Sequence, residues 1–197
     1  MKIARSGKEL LEICAAEQIS LSEYAIRQEM ELKNVSREDL FAQMKITLDA
    51  MKESATAGRE KKVYSLSGLI GGDAYRLQQY CNTGNSLMGN GIVMAMAMAI
   101  SSSEVNGAMA SGAVVELMGG TPKMSLDAAA IIFKNVLGLV CDPVAGLVEI
   151  PCAKRNVSGA INALCTADMV MAGVNSKIPF DDAVAAMYKV GPVFPEE

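Results

Sequence analysis

Ten consecutive apolar residues, Gly91-Ile92-Val93-Met94-Ala95-Met96-Ala97-Met98-Ala99-Ile100, limit what this chain can fold into. A helix needs about twenty such residues to cross a bilayer, so the run is too short to be a membrane span. At helical spacing it is apolar on every side, as suits a central helix wrapped by others. Its Met-Ala repeat reads as adaptable core filler, because thioethers mostly serve packing. The rest of the composition agrees. Hydrophobic residues make up 51% of 197 positions with no Trp, 5 Tyr and 4 Phe, so aliphatic and sulfur side chains must fill the core. Disorder throughout the chain is excluded by the same figures.

Helical signals dominate on both sides of that run. Ser20 with Glu23, and Ser36 with Asp39, have the spacing of capping boxes, in which hydroxyl and acid each satisfy an orphan amide. After Ser36, Leu40, Phe41, Met44, Leu48 and Met51 recur at three- and four-residue intervals on one face, and that helix should end near Gly58. A helix over 8–18 carries Leu10, Leu11 and Cys14, the thiol read as a small buried hydrophobe. Further helices are expected over 104–118, 126–137, 158–172 and 181–190, separated by Gly119-Gly120-Thr121-Pro122 and Ile178-Pro179. No stretch alternates convincingly enough to demand a sheet. The expected fold is all-α: a single helical domain over 1–197 with a central apolar helix and functional loops rich in glycine and proline.

Charge and side-chain inventory exclude several activities. There are no histidines, so the chain supplies no Ser-His-Asp triad, no Cys-His dyad and no His-based zinc site. Acid-base chemistry falls to Lys, Asp, Glu, Tyr, Cys or a metal-bound group. With 18 basic against 22 acidic residues, the net charge of -4 argues against a nucleic-acid partner, whose phosphates need Lys and Arg, while a small anionic substrate remains compatible. The cysteine count of 5 is odd, and the opening Met1-Lys2-Ile3-Ala4-Arg5-Ser6-Gly7-Lys8 lacks the apolar core of a secretory signal. Reduced thiols in a cytoplasm are expected.

Two loops stand out as chemically equipped. In Ser67-Gly68-Leu69-Ile70-Gly71-Gly72-Asp73 the glycines let backbone amides approach a ligand, or simply make a tight turn. The stretch 138–156 holds Cys141 and Cys152, with Pro143 and Pro151 breaking regular helix and pushing Asp142 and Ile150 towards extended geometry. Thiolates suit zinc or an iron-sulfur cluster, the latter favoured where histidine is lacking; from spacing alone, two such cysteines are more often just two buried thiols. Arg155 has the planar fork that grips a carboxylate with two charge-assisted hydrogen bonds, or else is a surface or capping arginine. Ser67, Gly68 and the Gly71-Gly72 amides are candidates for a complementary anion nest, with Asn106 and Asn156 as candidate hydrogen-bonding partners. Lys154 and Asp142 flank the cysteines and are base candidates only by that proximity. Cys165 reads as core packing, and Cys81 borders the polar loop Asn82-Thr83-Gly84.

The run Cys141-Asp142-Pro143-Val144-Ala145-Gly146-Leu147-Val148-Glu149-Ile150-Pro151-Cys152, followed by Lys154-Arg155-Asn156, closely resembles the signature of iron-sulfur-dependent L-serine dehydratases (L-serine ammonia-lyases), in their alpha chain or catalytic domain. The similarity extends through Ser67 to Ala74, Ser103-Glu104-Val105-Asn106, Met118-Gly119-Gly120-Thr121-Pro122, and Ile178-Pro179 on to Ala186-Met187-Tyr188-Lys189. It implies a lyase of amino-acid metabolism and gluconeogenesis that dehydrates L-serine, or a similar small amino acid, to pyruvate and ammonia. It also implies that Cys141 and Cys152 are two of three cysteine ligands of a [4Fe-4S] cluster acting as a Lewis acid on the substrate hydroxyl. A beta chain or a second copy is the implied partner.

The sequence departs from that family in one respect. The resemblance implies a long glycine- and alanine-rich middle segment after the position of Ala108, bearing the third cluster ligand; here Met109-Ala110 runs directly into Ser111-Gly112-Ala113-Val114-Val115-Glu116. The chain reads as internally shortened near 108–111, and the family's C-terminal glycine-rich tail is missing. Two readings stand side by side: a cluster-dependent dehydratase, and a non-catalytic helical remnant or partner subunit that keeps the scaffold. A pyridoxal phosphate lyase built around Asn82-Thr83-Gly84-Asn85 lacks the strand-rich surroundings it would need.

Overall fold

The computed structural model describes residues 3–59, 103–139 and 149–190, with side chains described from Gly107 and from Ser158 onward in the two helices that begin at 103 and 149. Among the described residues there are seven helices: α1 (Gly7–Glu17), α2 (Leu21–Lys33), α3 (Arg37–Arg59), α4 (Ser103–Leu117), α5 (Pro122–Val136), α6 (Glu149–Met171) and α7 (Phe180–Val190). No strand occurs among them, and the all-α expectation holds. The apolar run 91–100 lies outside the described residues. Over 107–115, α4 is buried on nearly every side, with Ala108, Ala110, Ser111, Ala113 and Val115 each at most 2% exposed.

Local chemistry explains most boundaries. Ser6 caps α1 and Ser20 caps α2, each hydroxyl accepting from the amide three residues on, Glu9 at 3.1 Å and Glu23 at 3.2 Å. Both helices close on a residue in left-handed conformation, Gln18 (φ 54°) and Asn34 (φ 51°). Before α3 the box is complete: Ser36 Oγ accepts from the Asp39 amide at 3.1 Å, and the Asp39 carboxylate accepts from the Ser36 amide at 3.4 Å. Before α2 it is half formed, because the Glu23 carboxylate turns away to Arg27 and Arg37, both at 2.8 Å.

Small side chains on α4 let its neighbours come close. A Cβ on Gly107 would stand 3.3 Å from Ile132 Cγ2 and 3.4 Å from the Cα of Gly159, so α5 and α6 both touch α4 there. Further along, Ser125 Oγ donates to the Gly112 carbonyl at 3.1 Å, and Val115 shares a cluster with Ala128, Ala167 and Val170. Residues 107 and 112 thus meet 132 and 125 in reverse order on α5, and 107 and 115 meet 159 and 167–170 in the same order on α6. The consequence is that α5 is antiparallel to α4 while α6 is parallel to it. The turn from α4 to α5 is tight: a Cβ on Gly120 would fall 2.4 Å from Val115 Cγ1, and Thr121 caps α5 with Pro122 in its first turn.

The flanking helices are pinned by carboxylates. Asp181 of α7 accepts from the Gly7 and Lys8 amides of α1 at 2.6 and 3.1 Å, at the N-terminus where a helix favours negative charge. Glu116 of α4 does the same for α2, accepting from the Ser22 amide at 3.3 Å and from the Ser22 hydroxyl. Phe180 packs on Phe133 with centroids 5.9 Å apart, seating α7 on α5.

One boundary differs from expectation. A helix was expected to start near 158, with Ile150 extended before Pro151; instead α6 starts at Glu149 and includes Pro151. Proline in a first turn gives up no intrahelical hydrogen bond, because amides there have no partner one turn back.

Candidate functional site

The parallel arrangement of α4 and α6 decides where the candidate residues gather. Both helices begin at the same end of the bundle, and α5 finishes there, since Ile132 stands at the Gly107–Gly159 crossing. Asn106 precedes the crossing by one residue on α4. On α6, Asn156, Arg155, Lys154 and Cys152 precede it by three to seven residues, within about 10 Å along the axis at 1.5 Å per residue. The backbone therefore brings five sequence-identified positions to one end of the bundle. Ser67, Gly68, Cys141, Asp142 and Cys81 lie outside the described residues, as does the body of the 140–148 connection.

Cys152 lies near the start of α6. Cys14 sits in the core instead. It is 3% exposed among Leu10, Ile13, Leu21 and Leu126, and burial first, then the nearby Glu116 and Glu17 carboxylates, push its pKa up. It stays a neutral thiol, as a packing residue should.

Neither of the other two described cysteines joins Cys152. Cys165 lies thirteen residues further along α6, about 20 Å away along the axis. Cys14 packs against Ala113 and Leu126, at the other end of α4 and α5. Cys165 also departs from the core position expected for it: it is exposed, because Ala163, Thr166, Ala167 and Val170 take the side of α6 that faces α4 and α5. Among the described residues no group of three His, Cys, Asp or Glu side chains could hold a metal ion. Among the described residues Cys152 is thus the one cysteine at that end of the bundle, and the described helices bring no other thiol to it.

An open recess of about 490 Å³ lies elsewhere, between α1 and the start of α5, walled by Leu11, Cys14, Ile19 and Pro122. Its lining includes Lys123, which is ion-paired with Asp127 at 2.6 Å. This recess was not anticipated from the sequence and carries no acid-base pair for catalysis. Among the described residues no helix is long and apolar enough to cross a membrane.

Comparison with known proteins agrees with the resemblance. The family described as serine dehydratase alpha chain matches residues 16–109 and again residues 105–197. The chain belongs to this family. It is 37% identical to the probable L-serine dehydratase, alpha chain, of Bacillus subtilis (strain 168), over 97% of this chain and 87% of that one. It is 30% identical to the L-serine dehydratase, alpha chain, of Peptoniphilus asaccharolyticus, over 94% and 88% respectively. A shorter match, 56% identical, covers 45% of this chain and 42% of the probable L-serine dehydratase, alpha chain, of Latilactobacillus sakei. The Bacillus alignment spans 261 positions against a chain of 197 residues, so part of that relative has no counterpart here.

Proposed function

We propose that this chain is the alpha-type component of an L-serine dehydratase, with its amino-acid site at the end of the bundle where α4 and α6 begin. The observation that carries the reading is the Gly107–Gly159 crossing in a member of this family, which brings the positions of Asn106, Cys152, Arg155 and Asn156 to one end. The Arg155 guanidinium would take the substrate carboxylate as a bidentate pair, and the Ser67–Gly68 amides would share that charge. Asn106 and Asn156 would orient the amino and hydroxyl groups by hydrogen bonds. A base, Lys154 or Asp142, would take the α-proton; loss of water then leaves an aminoacrylate that tautomerises to the imine, which water hydrolyses to pyruvate and ammonia.

Cys141 and Cys152 would hold an iron-sulfur cluster, which, when bound, supplies an electron-poor iron to stabilise negative charge on a departing hydroxide. The alpha-chain names of the relatives support a partner chain of a second kind. A second reading, a scaffold without turnover, draws support from the alignment gap and from the distance of Cys14 and Cys165 from the site.

The test is anaerobic reconstitution with ferrous iron and sulfide, followed by assay of pyruvate from L-serine. The dehydratase reading expects brown protein, pyruvate formation, and loss of both in Cys152→Ser and Cys141→Ser. Colourless protein with negligible iron, or iron-loaded protein that makes no pyruvate with or without a beta chain, leaves the scaffold reading.

A further inference from the structure

The outer side of α6 differs from the exterior of a solvated helix, which is normally polar and charged. Ala163, Thr166, Ala167 and Val170 face inward, and the opposite side carries Ile161, Leu164 and Met169, which are 58%, 51% and 44% exposed, around an exposed Cys165. From Asn156 to Ser176 the sequence holds a single charged residue, Asp168. By contrast α2 dresses its outer side with ion pairs, Arg27 with Glu23 and Lys33 with Glu29. We propose that this face of α6 is where two copies of the chain associate, the two helices crossing antiparallel about a two-fold axis at Cys165.

The pattern on the face selects a second copy as its occupant. A two-fold axis at residue 165 sets positions equally far before and after it level with each other, so Ile161 meets the partner's Met169, apolar on apolar, and the contact occurs twice. Asn162 stands level with the partner's Asp168. Its Nδ2 donates one hydrogen to Ser158 Oγ at 3.2 Å, and its other N–H is available to that carboxylate. The charges are compatible too: the chain is acidic overall, at -4, yet here its one carboxylate meets an amide, and the two Asp168 residues lie about 9 Å apart along the helices. Packed helices lie about 8–10 Å apart with Cα atoms about 2.3 Å from each axis, which brings the two Cys165 Cα atoms to about 5 Å, within reach of a disulfide. The strip from Ser158 to Ala172 is about 21 Å long and one helix wide, well short of the roughly 800 Å² that each partner gives a standard interface, so the association is reversible. The two Arg155 positions end up on opposite sides of the axis, about 30 Å apart along it, and neither copy covers the other's candidate site.

The test is sedimentation velocity on the full, reduced chain from about 5 to about 200 µM, across which monomer should give way to dimer. Ile161→Lys and Met169→Glu should each weaken association at least about tenfold, with thermal melts of the dilute protein close to wild type because both positions are on the surface. Mixing the two variants should restore a dimer, since the introduced charges then face each other at one contact and native Ile161 faces native Met169 at the other. Diamide oxidation of the concentrated protein should link Cys165 to the partner's Cys165, located by peptide mapping, and iodoacetamide labelling of Cys165 should slow over the concentrations at which the dimer forms. A monomer throughout the range, a dimer indifferent to both single substitutions, or a mixture that stays monomeric overturns the proposal. So does slow labelling of Cys165 at high dilution, which means that the chain's own residues cover the face, and so does binding there of a beta chain in place of a second copy. Pyruvate formation is not among the readouts, so failure here is distinct from failure of the functional reading.

Discussion

Replacing Gly159 tests the helix pairing that places the candidate site. A Cβ added there would stand 3.6 Å from the Cα and 3.8 Å from the amide nitrogen of Gly107, which is ordinary van der Waals contact. Gly159→Ala therefore meets no clash, and it removes a glycine from the interior of a 23-residue helix. The expected gain is about 0.5–1 kcal/mol. Gly159→Leu extends past that contact into the backbone of α4, which cannot yield like the tip of a side chain. Overpacking of this kind costs about 1–3 kcal/mol, offset in part by the same helix propensity. At about 2–4 °C per kcal/mol for a chain of this size, alanine should raise Tm by about 1–4 °C and leucine should lower it by up to about 8 °C. Thermal melts followed by circular dichroism at 222 nm read both. The sign reversal between the two substitutions is the diagnostic: if leucine is as stable as alanine, α4 and α6 do not meet at this point and the site positions are not assembled as described.

Two further expectations concern titration and thiol access. The Glu23 carboxyl is lowered from an ordinary 4.5 to about 2 by hydrogen bonds from Arg37 and then Arg27, so its stabilisation is present above pH 4.5 and is lost as pH falls towards 2. Since these partners are solvent-exposed, the contribution is about 1 kcal/mol or less, and Glu23→Gln should flatten the urea-midpoint profile across that window while leaving the wild-type profile steeper. Iodoacetamide should label Cys165 at least about tenfold faster than Cys14, measured by peptide mapping, because reaction at Cys14 waits on local opening. Equal rates would contradict the burial of α1 against α4 and α5.

The parts of the fold set by local chemistry were legible before any coordinates. Ser20 and Ser36 announce helix starts because a hydroxyl satisfies an amide three residues on whatever the tertiary context. The acid of the first box was misread for a tertiary reason: Arg37, from the next helix, competes for Glu23 and wins it from the Ser20 amide. Cys165 was misread because an apolar neighbourhood in sequence does not say which side of a helix faces the core; with Ala163, Thr166, Ala167 and Val170 inward, position 165 turns outward. Pro151 was weighed as a helix breaker when its position in the first turn of α6 makes it harmless. For the site, residue types pointed to Cys152, Arg155, Asn156 and Asn106, but their common location followed only from two helices running the same way, a relation between segments that no local pattern encodes.

The Asp181 latch has a bearing on how the protein is made. The amides it receives belong to Gly7 and Lys8, 174 and 173 positions earlier, so during vectorial synthesis the head of the first helix emerges long before its anchor exists. Until then those amides have only water. Closing the molecule on itself therefore waits for α7, whatever hairpins form earlier.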